Sequence, residues 1–320
     1  MTKDIQRFAD AAMFTAEPMR AGRDADGNIV PSVTLLAMNP DPLGAIAAAC
    51  KMYKGEVVYN LQDVTDDERR EFFEQVQHTH LQAPLEFVNF HFLLEGVTRS
   101  FTHQMVRQRT AVYAQESLRF AVTGDLMDRV SVPPSIANGS EQVRDDFWDA
   151  IGAIEEAYNK LIAAGVPAED ARALTPHGVA TRLHYATDLR NLQEHAGNRL
   201  CTQAQFEWRA VWVAILNAIR RFGAEHPSVM PQDRWQFELL ASSRLFRPIC
   251  YKTGKCEFLA NFDRHCSIRQ KVTDLGQAGV PSEAWDARVD DSSRDGLPGI
   301  FPAEWLMDPT AAREGRSSND

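Results

Sequence analysis

Arginine, amide and hydroxyl side chains crowd into one short stretch of this sequence. It reads Thr102-His103-Gln104-Met105-Val106-Arg107-Gln108-Arg109, then Gln115-Glu116-Ser117-Leu118-Arg119. Three further arginines, Arg172, Arg190 and Arg199, stand in apolar, helix-like surroundings. A guanidinium is a planar fork of donors that matches phosphate, and it is hard to leave buried without an anion. The competing reading is solvated helix faces and surface salt bridges, since charged side chains usually stay exposed. Cys250, Cys256, His265 and Cys266 offer soft ligands, but C-x5-C and an adjacent His-Cys are not a zinc spacing, so reduced thiols and no metal are expected. His78, His80 and His91 bracket Glu86, and a helix end followed by a strand accounts for them. Cys201, two residues past Arg199, sits in an apolar helical context and reads as a core thiol rather than a nucleophile.

The elements that must position these residues are marked by caps and periodicity. Val33–Met38 reads as a strand, and Asp41-Pro42 as an N-cap with proline in the first turn of a helix. Thr65-x-x-Glu68 is a capping box for a helix through about His78. Leu85–Leu94 suits a strand, and Arg99–Arg119, free of Gly and Pro, suits a helix, a strand or both in turn. Val143, Phe147, Ile151, Ile154, Tyr158 and Leu161 recur at steps of three and four after Gly139-Ser140, in a helix expected to stop at Gly165, with Pro167 opening the next. A further helix is expected from about Gln203 to Phe222, with Gly223 as its stop. A few strands among many helices, without strict alternation, favour an α+β fold.

The chain has 320 residues, 44% of them hydrophobic, which is enough for a substantial core. Its net charge of −10 argues against a nucleic-acid coat, so no DNA partner is expected. No window approaches the ~18–20 apolar residues of a membrane span, and the start lacks a secretory pattern. Five scattered cysteines do not suggest a disulfide scaffold, and the expectation is a cytoplasmic protein without membrane contact. In the last forty residues nine carboxylates oppose four arginines, among several prolines, while Trp285, Phe301 and Trp305 suggest partial docking. The expected organisation is a variable leader over 1–32, a catalytic body over 33–245, and an extension over 246–320 that is first cysteine-containing and then acidic and partly flexible.

The order of these segments resembles the flavin-dependent thymidylate synthase (ThyX) family. Its hallmark is Arg-His-Arg, two residues, Ser, one, Asn, two, Ser, one, Arg. Here Arg107 to Arg119 reads RQRTAVYAQESLR, with both arginines of the triplet, Ser117 and Arg119 in register. The lead-in Glu95-Gly96-Val97-Thr98-Arg99 with His103-Gln104-Met105-Val106 is similar to the family's, as are the blocks from Ala171-Arg172 to Asp188-Leu189-Arg190 and from Arg199 to Arg209. The resemblance covers roughly 33–225. It implies a small, mostly antiparallel sheet packed with several long helices, in a homotetramer whose subunits share each active site. It also implies reductive methylation of dUMP to dTMP, with FAD as cofactor and NADPH and 5,10-methylenetetrahydrofolate as co-substrates. By position, Gln104, Arg107, Gln115, Ser117, Arg119 and Arg172 match the dUMP site, and Arg199 the catalytic arginine on the uracil ring. Arg107, Gln108, Arg109, Gln115, Asp188, Arg190 and Glu194 match flavin-contacting positions.

The residue chemistry agrees with that match. A dianionic phosphate needs several cationic forks and a hydroxyl, and charge developing on a pyrimidine carbonyl needs a fixed cation. Hydride and one-carbon steps lie beyond any side chain, so flavin and folate must supply them. Departures stand inside the motifs: Gln108 for the hallmark His, Val112 for its first Ser, Ala114 for its Asn, Asp188 for an Asn, and Glu86-Phe87 for a Glu-His pair. They bear on flavin geometry more than on the nucleotide arginines. Two alternatives stay open: a relative that methylates or hydroxymethylates another pyrimidine nucleotide, and a non-catalytic nucleotide- or RNA-binding protein.

Overall fold

A computed structural model of the chain describes residues 14–15, 19, 21–23, 28–201 and 204–249. Strand β1 (Ser32–Met38) buries Val33, Leu35 and Met38. Asp41 caps helix α1 (Pro42–Tyr53), its carboxylate accepting from the Gly44 N–H at 2.8 Å, and Pro42 occupies a first-turn position that needs no donor. Thr65 and Glu68 make both reciprocal bonds of the capping box that starts α2 (Asp66–His78). Strand β2 (Asn89–Thr98) begins four residues later than the Leu85–Leu94 pattern suggests. Pro84 lacks a ladder donor, and Ala83–Phe87 forms a 3-10 turn instead. The segment after it is helix and strand in succession, α3 (Arg99–Met105) and β3 (Val112–Gln115).

Ser140 caps α4 (Glu141–Ala163), and Gly165, at φ +82°, turns the chain after it where a Cβ would be strained. Pro167 opens the turn Ala168–Ala171, which tightens into a 3-10 turn at Arg172–Leu174. Strand β4 (Ala180–Asp188) runs directly into α5 (Leu189–Arg199), and α6 (Glu207–Glu225) and α7 (Trp235–Ala241) follow. Gly223 does not stop α6, which continues to Glu225. A Cβ there would lie 2.4 Å from the Phe237 Cβ, so close packing of α7 is what demands the glycine. The helix ends instead at His226, whose following residue is Pro227.

The main sheet has the strand order β1-β2-β4-β3. Arg99 N to Val179 O at one end of β2 and Leu189 N to Val88 O at the other show that β2 and β4 run antiparallel. Two-residue pairs supplement it, Gly22–Arg23 antiparallel to Ile29–Val30 and Phe14–Thr15 parallel to Ala121–Val122. The architecture is α+β. No described helix is long and apolar enough to cross a membrane.

The chain divides into two compact units. Among the described residues, the first gathers those up to Ser32, Leu94–Arg107 and Tyr113–His184; the second gathers Val33–Leu93, Gln108–Val112 and those from Tyr185 to Ile249. In the first, α4 lays Ile151 and Tyr158 against Leu118, Leu126, Val130, Ala171 and Val179. Each fully buried aliphatic or aromatic side chain there contributes roughly 1.5–3 kcal/mol, so truncating the wholly buried Leu126 to Ala would loosen this core directly. In the second, Ala47, Val64 and Phe72 form one cluster, and Trp208, Trp212 and Phe246 are almost wholly buried.

Candidate active site

In the first unit, one core positions the hydroxyl and the two arginines. Leu118 and Ala171 belong to the same buried cluster, which anchors the backbone beside Ser117, Arg119 and Arg172. Glu169 ties the two arginines together: its carboxylate accepts from Arg119 Nε at 3.1 Å and its carbonyl from Arg172 Nε at 3.1 Å. Arg119 and Glu169 are about half exposed, and such a pair is worth ~1 kcal/mol or less, so a phosphate dianion can displace the carboxylate. Ser117 Oγ accepts from the Arg119 N–H at 3.2 Å, which leaves its own O–H to donate.

Beneath that patch lies an ion network that the sequence patterns did not reveal. Glu116 accepts from Arg129 Nη2 at 3.2 Å on both oxygens and from Thr181 Oγ1 at 3.4 Å, with Arg182 Nε at 3.8 Å. Arg129 and Glu116 are both nearly buried, the setting in which a broken pair costs most. Arg99 Nη2 donates to the Glu116 carbonyl at 2.6 Å. Burial chiefly, opposed by Glu116 and reinforced by Arg172 and Arg129, holds the Arg99 pKa below the ordinary arginine value. Gln115 donates to Thr102 Oγ1 at 2.8 Å, and Thr102 donates to the Arg99 carbonyl at 3.1 Å. Tyr113 OH bonds the Met105 carbonyl at 3.0 Å, pinning the end of α3 to the start of β3. Gln104 is half-buried on α3, and Arg107 is exposed just beyond it. The signal for Arg99 and Glu116 was their place inside the motifs; nothing local marked Arg129.

In the second unit, two departures from the family motifs, Gln108 and Asp188, are engaged inside the protein. Gln108 Nε2 donates to the Asn191 carbonyl at 2.8 Å, and Tyr185 OH donates to Gln108 Oε1 at 3.1 Å. Asp188 is the N-cap of α5: one oxygen accepts from the Asn191 N–H at 2.9 Å and the other from Asn191 Nδ2. Its charge thus meets the positive end of a helix. Arg190 pairs with Glu86 and lies 3.7 Å from Glu194, and the Glu86 bond is the main reason its pKa is raised. The sequence marked Glu86 by its place among His78, His80 and His91 and in the Glu86-Phe87 departure, not as the partner of Arg190. Val112, in place of a hallmark serine, is 71% exposed and lines an open cavity of about 670 Å³ together with His91, Thr110, Thr187 and Asp188.

Arg199 ends α5 with its guanidinium carbon 4.7 Å from the centroid of the Trp208 ring. His195, one turn earlier, meets Trp208 edge to face at 4.9 Å. Burial, with repulsion from Arg199, pushes the His195 pKa down to about 3, so the imidazole is neutral at pH 7.

The donor chemistry suits a pyrophosphate-bearing flavin. Arg107 and Arg109 are both exposed and carry no ion pair among the described residues, and Asp188 spends its carboxylate on its own helix. No group of three His, Cys, Asp or Glu side chains converges among the described residues. Glu86 is taken by Arg190, and His78 by Glu74 and Arg244. Cys50 and Cys201 are half-buried. Cys250, Cys256, His265 and Cys266 lie outside the described residues, as do Trp285, Phe301 and Trp305.

An α+β protein in which Arg119 and Arg172 both bond Glu169 is the class that fold and site define. Residues 34–227 match the family described as thymidylate synthase complementing protein. A flavin-dependent thymidylate synthase of Geobacter sulfurreducens is 35% identical over 191 residues, which are 59% of this chain and 82% of that protein. The protein of the same name from Sulfolobus acidocaldarius is 34% identical, over 59% of this chain and 72% of its own length. That of Pyrococcus abyssi is 28% identical, over 70% of this chain and 88% of its own. The chain belongs to the thymidylate synthase complementing protein family.

Proposed function

We propose that the protein is a flavin-dependent thymidylate synthase that reductively methylates dUMP to dTMP, with FAD as cofactor and NADPH and 5,10-methylenetetrahydrofolate as co-substrates. The observation that carries this reading is the meeting of Arg119 and Arg172 at Glu169, the first on its carboxylate and the second on its backbone carbonyl, with Ser117 two residues before Arg119. In this reading Arg119 exchanges the Glu169 carboxylate for the nucleotide phosphate, Arg172 adds a second guanidinium, and Ser117 donates its hydroxyl. Gln104, Arg107 and Gln115 complete the nucleotide site. Arg199 lies on the uracil ring and stabilises negative charge at its carbonyl oxygens, favouring the ionised base. Arg107, Gln108, Arg109, Gln115, Asp188, Arg190 and Glu194 hold the flavin, with the guanidiniums on the pyrophosphate. Bound flavin supplies the hydride chemistry that side chains lack.

The assembly in this reading is a homotetramer whose subunits share each site. The open sheet face around Val112 supports it, as a surface suited to a neighbouring protomer. The catalytic body spans 33–245, between a leader and a C-terminal extension, and works in the cytoplasm. The test is tritium release from dUMP labelled at C5, with FAD, NADPH and methylenetetrahydrofolate present, and the mass of the product. Release with a product one methyl group heavier than dUMP is expected; no release with all cofactors present would overturn the proposal.

A further inference from the structure

We infer that Trp208 is a positioning residue for this reaction: its indole face holds the Arg199 guanidinium in place for the base of the nucleotide. The inference rests on the reading of Arg199 as the uracil-facing cation and adds the residue that orients it. An arginine side chain has many rotamers, and a cation that must meet a ring face in one orientation needs a support that removes that freedom. Trp208 provides one. It is 1% exposed in the first turn of α6, and its ring centroid lies 4.7 Å from the Arg199 guanidinium carbon, well within the range of attraction between a cation and an aromatic face. The indole is itself fixed, since the His195 ring meets it at 4.9 Å and 74°.

His195 also shows that the arrangement is tuned to a cation. It lies one helical turn before Arg199, where a charged imidazole would repel the guanidinium, and burial keeps it neutral. Tyr185 stacks edge-on to the far side of His195 at 6.4 Å and donates through its hydroxyl to Gln108. A support built this way runs from the hallmark glutamine to the arginine that ends α5. Phe206 and Trp208 flank Glu207 in the third family block, so nothing in the motif itself singles out the tryptophan.

The test uses the full-length, FAD-loaded protein with mono- to tetrafluorinated tryptophan placed at position 208 alone. Fluorine withdraws the negative charge of the ring face while leaving the shape of the side chain nearly unchanged. Dissociation constants are measured by calorimetry for dUMP and for 2-deoxyribose 5-phosphate, which has the sugar and phosphate but no base. The expected result is a stepwise weakening of dUMP binding with fluorine number, about three- to tenfold over the series, at constant affinity for the sugar phosphate. Trp208→Phe should keep most of the dUMP affinity and Trp208→Leu should not. Flat dUMP binding across the fluorinated series overturns the inference, as does an equal loss for both ligands, which would mark Trp208 as mere core. If the unsubstituted protein binds the sugar phosphate but gains nothing from the base, or binds neither, the reading of Arg199 falls first and this inference with it.

Discussion

Arg119 in the first unit and Arg199 in the second meet partners of different kinds. In the first, Arg119 and Arg129 are met by the carboxylates of Glu169 and Glu116, and Arg172 by a backbone carbonyl. In the second, Arg199 lies on an indole and near a neutral imidazole, neither of which brings a counter-charge. A half-exposed carboxylate partner can be exchanged for a stronger anion, which suits a subsite that binds and releases a phosphate. An aromatic partner is not displaced by an anion, which suits a group that must stabilise charge only as it develops.

That contrast predicts different kinetic signatures. Arg199→Ala should lower the rate of tritium release by about 10²–10³-fold, the size of effect seen when a donor to a developing oxyanion is removed. A variant that folds and keeps full tritium release would place the catalytic cation elsewhere. Arg172→Ala should instead raise the dUMP dissociation constant by about 10–100-fold, the worth of a charge-assisted bond, and move kcat much less. If kcat and KM fell together, the division between an exchangeable and a permanent partner would be wrong.

Acid stability separates the units further. The unfolded chain takes up a proton on His195 near the ordinary value of ~6.5, whereas the folded imidazole resists until about pH 3. The unfolded state therefore binds more protons across that window, so stability is lost as pH falls through it and recovered as pH rises. Urea midpoints should record a loss of about 1 kcal/mol between pH 6 and pH 5 from this residue, and His195→Gln should remove that slope. The smallest effect is expected at Asp188→Asn. Asparagine caps a helix about as well, so the unfolding midpoint should hold within ~0.5 kcal/mol, while loss of the carboxylate charge tightens FAD binding a few-fold. Weaker FAD binding in that variant would show that what the Asp188 carboxylate accepts from the cofactor outweighs its repulsion of the pyrophosphate.

Helix beginnings were readable because their bonds are local. Asp41, Thr65 with Glu68, and Ser140 each bond a backbone N–H three residues away. Errors arose where a distant partner decided the outcome. Gly223 has the composition of a helix stop, yet Phe237 on α7 is the reason for it. Arg172 stands in an apolar run that suggested a helix, but Ala171 takes the buried place, and the arginine is exposed on a 3-10 turn. The departures Gln108 and Asp188 look like losses when set against a motif. In the folded chain each has found partners, and those partners lie on α5 and β4, which no local pattern had delimited.

Residue order alone settled which arginines stand in register with one another and where most helices begin, because both depend on spacing of a few residues. Only the folded chain decided whom those arginines meet: Arg119 finds Glu169 fifty positions away, and Arg190 finds Glu86 across 104. The aromatic support of Arg199 is of the same kind, since Trp208 comes under the guanidinium only when α5 and α6 are packed together. Such contacts are made by closing loops around a core, and the free energy that closes them is spread over every buried side chain rather than written beside the residues it joins.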